Sequence, residues 1–488
     1  MHPDASLPDG PATVKFPHRS RRGVLLGLSV AQLIVVTLTG LALLGVLMQS
    51  GVTGALKLIP LWAVILGAVF IRHRGRSLAD WAPIALRYAL RRFKGQLIWL
   101  ARPSRPRREG LLHLPGTAAS LRVVTSPGGG FGAVHDPHHG TLTAVVKVSS
   151  RAFALLDPAT QTSNVAGWGR TLAALSRTGH IARVQVLERT VPDSGDALNR
   201  YWSEHGNADT HLAGPIYSEL LAAAGPAAAP HEAYVALALD LKAARRLINQ
   251  AGGGLTGAFA VLSQLTSTFD QAARNSGLTP GGWLGASEIA AVIRTAYDPK
   301  ASAALDQWSE AGRPQADPAA AGPVVLVEKA DRIQTDSARH ATYWIENWPR
   351  IETSPGFLHQ LLFTSGVRRT LSLTYAPKGL DAALKDVQRK KATVIADAAE
   401  RQRKGQVDSE EDSVEYADIK ARERQLIAGH ADVALTGLLT VSADTDDELN
   451  SACAAIETAA VSALLDLRLL TWQQAEAFTG AALPLARP

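Results

Sequence analysis

His135, Asp136, His138 and His139 stand close together and carry side chains that hold zinc, since imidazole nitrogens and a carboxylate would converge if the segment folded back on itself. Adjacent strand residues point to opposite faces, however, and Asp136-Pro137 is a turn starter, so the segment reads as a hairpin turn and no metal ligand is assigned. His180, His231, His340, His359 and His430 are scattered singly, each expected at the surface or in a core rather than as a base. No G-x-S-x-G or H-E-x-x-H motif is present, which leaves hydrolase and metalloprotease chemistry without local support. A phosphate-gripping loop needs glycine N–H groups followed by a lysine. The stretches Gly128 to Gly132 and Gly252 to Gly254 lack that lysine, and the chain has no Gly-Lys pair. They read as flexible turns. No catalytic, cofactor-binding or metal-binding residue is therefore assigned, and no cofactor is expected.

Two further stretches invite a partner rather than a substrate. Asp408 to Asp418 is an acidic span between two charged helices, expected to be a solvated connection. Trp344, Trp348 and Phe357, near Arg350, read either as an aromatic contact surface or as buried packing. The single cysteine, Cys453, excludes an intramolecular disulfide and a multi-cysteine zinc site.

The elements that would position these residues alternate along the chain. Strands are expected at Leu121 to Val124, Phe131 to Val134, Thr141 to Val148, Ile181 to Arg189 and Ala233 to Leu241, the last after a Pro/Ala-rich loop. Helices are expected from Val165 to Arg177, Leu255 to Asn275 and Ser287 to Tyr297, with Ser287 as cap. Beyond the Ala/Pro-rich stretch Ala311 to Pro323 come strands Val324 to Glu328 and Arg369 to Ala376, and helices Leu380 to Lys404 and Val414 to Ala428. Strand Asp432 to Ser442, helix Asp444 to Ala463, strand Asp466 to Leu470 and helix Trp472 to Phe478 follow. That order suggests two mixed lobes, 111–310 and 323–488.

At 488 residues the chain exceeds one core, and 46% hydrophobic with 19% charged residues is ordinary for a globular protein. The average conceals a very apolar start. After a basic N-terminus, 1–22, expected to be disordered, Gly23 to Leu56 holds no charge. Val24 to Met48, at about 1.5 Å per residue, exceeds the roughly 30 Å of bilayer hydrocarbon. The turn Gln49-Ser50-Gly51 leads to a second apolar run, Val52 to Ile71, interrupted by Lys57 and Pro60. The sequence thus predicts a transmembrane hairpin over 23–71. Its length and lack of a small-residue cleavage site argue against a secretory leader. Arg72, Arg74 and Arg76 follow, while the connecting turn is bare, so both ends are expected on the cytoplasmic side. The net charge of +6 gathers here and favours anionic lipid over nucleic acid. Within 72–110, Leu78 to Leu100 carries Arg87, Arg91 and Lys94 among Trp81, Tyr88, Phe93 and Trp99. It reads as a helix at the membrane interface or as an ordinary packing helix, followed by the linker Arg102 to Gly110.

Ser20-Arg21-Arg22-Gly23 leading into the apolar run, Gly132 to Asp136, Val146-Lys147-Val148, Trp168-Gly169-Arg170 and Arg183 to Arg189 together resemble an actinobacterial family of conjugal-transfer membrane proteins with a PrgI-like two-helix anchor. From Leu380 through Ser442 to Trp472 to Phe478 and Leu483-Pro484-Leu485, the chain resembles the N-terminal domain of TrbE/CagE-type type IV secretion ATPases, which continue into a P-loop motor. The resemblance implies a membrane-anchored α+β protein, a two-helix transmembrane hairpin followed by two mixed α/β lobes. It implies a noncatalytic, multi-pass inner-membrane component of a type IV-like secretion or conjugal DNA transfer apparatus. Its expected partners are the lipid bilayer, a P-loop secretion ATPase in trans and other channel subunits, in a multimeric complex. A type VII secretion component of the EccE kind shares the layout of two helices and a soluble domain. A membrane-bound enzyme, with His135 to His139 as its candidate site, is the reading from another class.

Overall fold

The computed structural model of the protein describes residues 16, 30–73, 76–102, 108–150, 153–191, 196–206, 213–224, 231–312, 316–403, 410–428 and 430–487. The expected basic segment 1–22, apart from Phe16, lies outside these residues, as do much of the Arg102 to Gly110 linker and the start of the acidic span at Asp408.

The chain is mixed α/β, with one long N-terminal apolar helix and a large antiparallel sheet. Helix α1 is Val30–Lys57 and α2 is Ile59–Phe70. The backbone of α1 kinks at Gly51, whose φ of 64° is left-handed and open to glycine without strain. Among the described residues, only Gln32–Lys57 is long and apolar enough to cross a membrane. The expected second run is divided instead: Val52 to Lys57 continues α1 beyond the kink, and α2 starts after Leu58 with Pro60 in its first turn. Its 12 residues reach about 18 Å. Gln32 Nε2 donates to the Val69 carbonyl at 2.7 Å, which sets the start of α1 beside the end of α2.

A two-residue ribbon, Arg72–His73 with Arg76–Ser77, leads into α3 (Leu78–Phe93). Gly95, at φ 66°, ends this helix, so the expected continuation to Leu100 becomes strand β1 (Ile98–Leu100). Next come β2 (Arg122–Thr125), β3 (Gly132–Asp136), β4 (Thr141–Ser150), α4 (Pro158–Arg177), β5 (Ile181–Thr190), α5 (Asp196–His205), α6 (Ala213–Ala224) and β6 (His231–Asp240). Helices α5 and α6 lie between β5 and β6, where no helix was expected. They are followed by α7 (Arg245–Gln250), α8 (Gly254–Arg274), β7 (Leu278–Trp283), α9 (Ala286–Tyr297), α10 (Ser302–Glu310), β8 (Val325–Glu328), β9 (Ile333–Gln334) and β10 (Arg339–Asn347). The chain finishes with α11 (His359–Leu362), β11 (Arg368–Pro377), α12 (Leu380–Arg403), α13 (Glu410–Ile427), β12 (Val433–Ala443), α14 (Asp446–Ser462), β13 (Asp466–Leu469) and α15 (Gln474–Ala482).

All the strands from β1 to β13 join one sheet, in the order β1-β8-β9-β10-β12-β11-β5-β6-β4-β3-β2, with β13 on β10 and β7 on β4. Strands β5 and β11 pair from Val184↔Tyr375 to Arg189↔Thr370. The ladder therefore runs unbroken across the boundary expected between two lobes.

Directly paired residues share a face, so the sheet sorts its side chains cleanly. One face carries Leu142, Val146, Val184, Val235 and Leu237 under α4 and α8. It continues as Tyr343, Leu371, Leu439 and Val441 under α14. The other face carries Val145, Leu187, Tyr234 and Ala236 against Ile289, Ile293 and Tyr297 of α9 and Phe478 of α15. Helix α14 starts where Thr445 caps the Glu448 N–H and Glu448 accepts back from Thr445. At α9 the expected cap shifts by two residues. Glu288 accepts the Gly285 N–H at 2.7 Å, while the Ser287 hydroxyl is engaged by both backbone groups of Ala316.

The second covered face closes with the tail. Gln185 on β5, fully buried, donates from Nε2 to Ser372 Oγ of β11 at 2.8 Å. The same nitrogen lies 3.1 and 3.2 Å from the carbonyls of Leu483 and Gly480, and Oε1 accepts the Ala486 N–H at 2.7 Å. One carboxamide thus joins two central strands, α15 and the tail. Replacing it by a leucine of similar volume leaves the Ala486 N–H buried and unpaired, while the Gly480 carbonyl keeps the Ser372 hydroxyl and the Leu483 carbonyl keeps the Leu485 N–H. Gln185→Leu is expected to lower stability by about 1 to 3 kcal/mol, read by thermal unfolding of the purified protein; an unchanged Tm refutes the assignment.

Candidate membrane-proximal interface

Helix α3 links the apolar helices to the sheet, and its sequence explains how. Ser77 caps it, accepting the Asp80 N–H at 3.2 Å and donating to Asp80 Oδ2 at 2.7 Å. At about 100° per residue, Trp81, Tyr88 and Arg91 fall on one side and Leu86, Leu90 and Phe93 on the other. The first side docks on the sheet and the segment before α15. Trp472 takes the Trp81 ring edge-on at 5.5 Å and lies 6.5 Å from the Tyr88 ring. Its φ of 65° is unusual for a bulky residue, and its N–H donates to the Ala330 carbonyl at 2.6 Å. That strained backbone is held in place by the ring packing and this hydrogen bond.

Two ion pairs frame the rings. Arg91 meets Glu328 of β8, whose carboxylate is wholly buried and also accepts the Ala475 N–H at 3.2 Å. Arg87 meets Glu476 of α15 at 2.5 Å, but at 64% exposure this pair contributes little. Helix α3 also packs against α1 and α2, so the apolar helices and the sheet edge share one connector.

The residues singled out for chemistry take structural places. Asp136 Oδ1 accepts the N–H groups of His138 and His139 at 2.9 and 3.2 Å, closing the β3–β4 turn. Its other oxygen lies 2.9 Å from His139 Nδ1 and 3.0 Å from Arg487 Nε of the tail. Burial pushes this carboxyl up, but the His139 hydrogen bonds and the Arg487 charge outweigh it and hold the group below its ordinary value. The His138 and His139 rings meet edge-on, and His135 is lowered by burial and by Arg122. Among the described residues no group of three or more His, Cys, Asp or Glu is arranged to hold a metal.

His340 is fully buried between Thr335 Oγ1 (2.9 Å) and Ser442 Oγ (2.8 Å), and burial pushes it down to about 3. His231 pairs with Glu188, while His231 and His359 both set their rings against Phe363. The backbone of His180 is held by Thr178 and that of His430 by Gln425. Gly129, at φ 71°, turns the β2–β3 hairpin, and Gly253 precedes α8 at φ 72°. Trp344 lies under the Arg468 guanidinium at 4.6 Å. Trp348 and Phe357 cap the core beneath α14 and receive Phe16, which stacks on Trp348 at 4.8 Å. The half-buried Cys453 sits in α14, its thiol raised by burial.

Sequence reasoning missed a buried charge network between the sheet and α9. Arg189 holds Glu232 at 2.7 Å and donates to Thr295 at 2.9 Å, while Lys147 and Tyr234 also reach Glu232 at 2.7 and 2.9 Å. Burial opposes the Glu232 charge, but Arg189 and Lys147 prevail and depress it to about 2. Only the alternation of Arg189, Glu232 and Tyr234 with apolar strand residues hinted at inward-facing charge. In comparison with known proteins, no family model matches the chain and no curated sequence matches it.

Two outcomes follow from this geometry. Glu328→Ala strands Arg91 and the Ala475 N–H, and is expected to cost about 3 kcal/mol and to raise trypsin cleavage after Arg91 and Arg92 in detergent; an unchanged digest argues against the clamp. Both His340 and Glu232 have folded values below their ordinary 6.5 and 4.5, so the unfolded chain binds the extra proton and stability is lost as pH falls. Tm is expected to decline from about pH 6.5 downward through His340, with Glu232 adding loss below about 4.5. His340→Gln would flatten the upper limb, and a wild-type Tm constant from pH 7 to 5 contradicts the reading.

Proposed function

We propose that the chain is a noncatalytic inner-membrane component of a type IV-like secretion or conjugal DNA transfer apparatus, which anchors itself in the bilayer and docks a separate ATPase. The observation that carries this reading is the attachment of α3. A helix leading directly from apolar segments is fastened to the sheet edge by a buried carboxylate and a strained tryptophan, so a load on the soluble body is transmitted to the anchor. Exposed apolar side chains along α1, such as Leu38, Leu41 and Met48, support lipid contact. On this reading Val52 to Ile71 serves as a second span across the break at Leu58, and both membrane ends lie on the cytoplasmic side. The resemblance to the N-terminal domain of secretion ATPases supplies the partner: a P-loop motor in trans, within a multimeric complex.

The test is isolation of the detergent-solubilised protein from its native host. A P-loop ATPase is expected to co-purify, and external protease is expected to leave the soluble body intact in whole spheroplasts and to cut it after lysis. Recovery of the chain in the supernatant after membranes are pelleted, or repeated isolation without any such ATPase, overturns the proposal.

A further inference from the structure

Among the described residues, the side of α3 turned away from the sheet leaves its large apolar side chains exposed. Leu86, Leu90 and Phe93 are 62%, 51% and 92% exposed, which is unusual for three large apolar side chains on one helix face. A shallow groove of about 350 Å³ runs along this face between Leu86, Leu90, Lys94 and Gln96. Just beyond it, Ile98 and Leu100 of edge strand β1 are 59% and 57% exposed, while Trp99 between them turns into the core. The segment from Leu78 to Lys94 carries four basic residues against one acidic residue. Arg91 and Arg87 are engaged by Glu328 and Glu476, whereas Lys94 is exposed beside the apolar row and lines the groove.

We infer that α3 and β1 form a shelf that seats the edge of the sheet on an anionic bilayer surface, with Leu86, Leu90 and Phe93 entering the headgroup boundary and Lys94 meeting lipid phosphates. This inference rests on the anchor reading above and adds a lipid-facing orientation of the soluble body. Three observations select lipid as the occupant. The shelf follows α2 within a few residues and packs against α1 and α2, so it lies at the level where those helices end. Its composition is that of an interfacial helix, with basic residues flanking an apolar stripe. Its charge complements the anionic cytoplasmic leaflet. The opposite side is already occupied by Trp472 and Glu328, which leaves the apolar side facing outward.

The test uses the full chain in lipid nanodiscs, in a Cys453→Ser background. An environment-sensitive fluorophore is attached at Leu90→Cys, at Phe93→Cys, at Leu41→Cys on α1, or at Thr458→Cys on the exposed side of α14. In discs with one third anionic lipid, a headgroup-level nitroxide lipid is expected to quench the Leu90→Cys and Phe93→Cys labels at least threefold more than the Thr458→Cys label. Lys94→Gln, or removing the anionic lipid, is expected to halve that difference. Quenching at Leu90→Cys and Phe93→Cys equal to that at Thr458→Cys, with the Leu41→Cys label still quenched by a deep nitroxide lipid, overturns the shelf and spares the anchor. Loss of deep quenching at Leu41→Cys overturns the anchor itself. Shielding at Leu90→Cys that persists in detergent and rises with protein concentration assigns the face to a second copy and also overturns the shelf.

Discussion

The sheet depends on the backbone ladder between β5 and β11, which among the described residues is the strand pairing that joins its 122–283 strands to its 325–469 strands. Backbone hydrogen bonds alone would fix the two strands but not the layers above them. Gln185 does so, where strand, helix and tail meet. A buried carboxamide is unfavourable unless each of its groups is paired, and here its oxygen and nitrogen all find partners. The tail from Leu483 to Arg487 then crosses the face of β5 and β4, with Thr143 reaching the Leu485 carbonyl, and ends on Asp136. The C-terminal residues and the first hairpins are consequently a single packing unit despite their distance in the chain.

The two faces of the sheet divide their labour. The face beneath α4, α8 and α14 is mainly apolar burial, while the face toward α9 and α15 carries the polar groups that set registry: Gln185, Arg189, Glu232, His340 and Gln474. Each has specific hydrogen-bond partners, so misaligned layers would bury unpaired charge or dipole. Uniform apolar contacts do not discriminate so sharply between neighbouring registers. Helix α3 attaches to this second face's elements, through β8 and α15. A force on α3 therefore enters the fold where layer geometry is best defined.

Much of the element order was legible because period and punctuation agree with the fold. Strands β4, β5 and β6 carry long β-branched or aliphatic runs, and α8 presents an apolar row closed by polar residues. Strand β10 escaped notice because it is buried on both faces and begins Arg339-His340, so no alternation marks it. Strand β7 contains Pro280 and two glycines, which argue against a strand until β4 supplies its partner. The placement of Asp136 was readable as a turn, since Asp-Pro announces it, but its tie to Arg487 has no local signature. Trp472 and Trp81 likewise meet only because a sheet edge intervenes. What the linear pattern lacked, in each case, was the identity of a neighbour a hundred or more positions away.

Helices α12 and α13 form an excursion between two strands that already pair, with Pro377 opposite Val433. They pack on each other through Val387, Val394, Ile419 and Leu426, and Arg422 ties Asp386 to Asp432 at the base. Helix α12 extends about 36 Å. Since the feet of this excursion stand one ladder rung apart, roughly 5 Å, the sheet is indifferent to what happens above the Arg422 staple. Evolution is free to lengthen, shorten or replace the projecting turns in whole-helix increments, so the excursion is the part of the molecule whose reach can diverge while the platform beneath it stays constant.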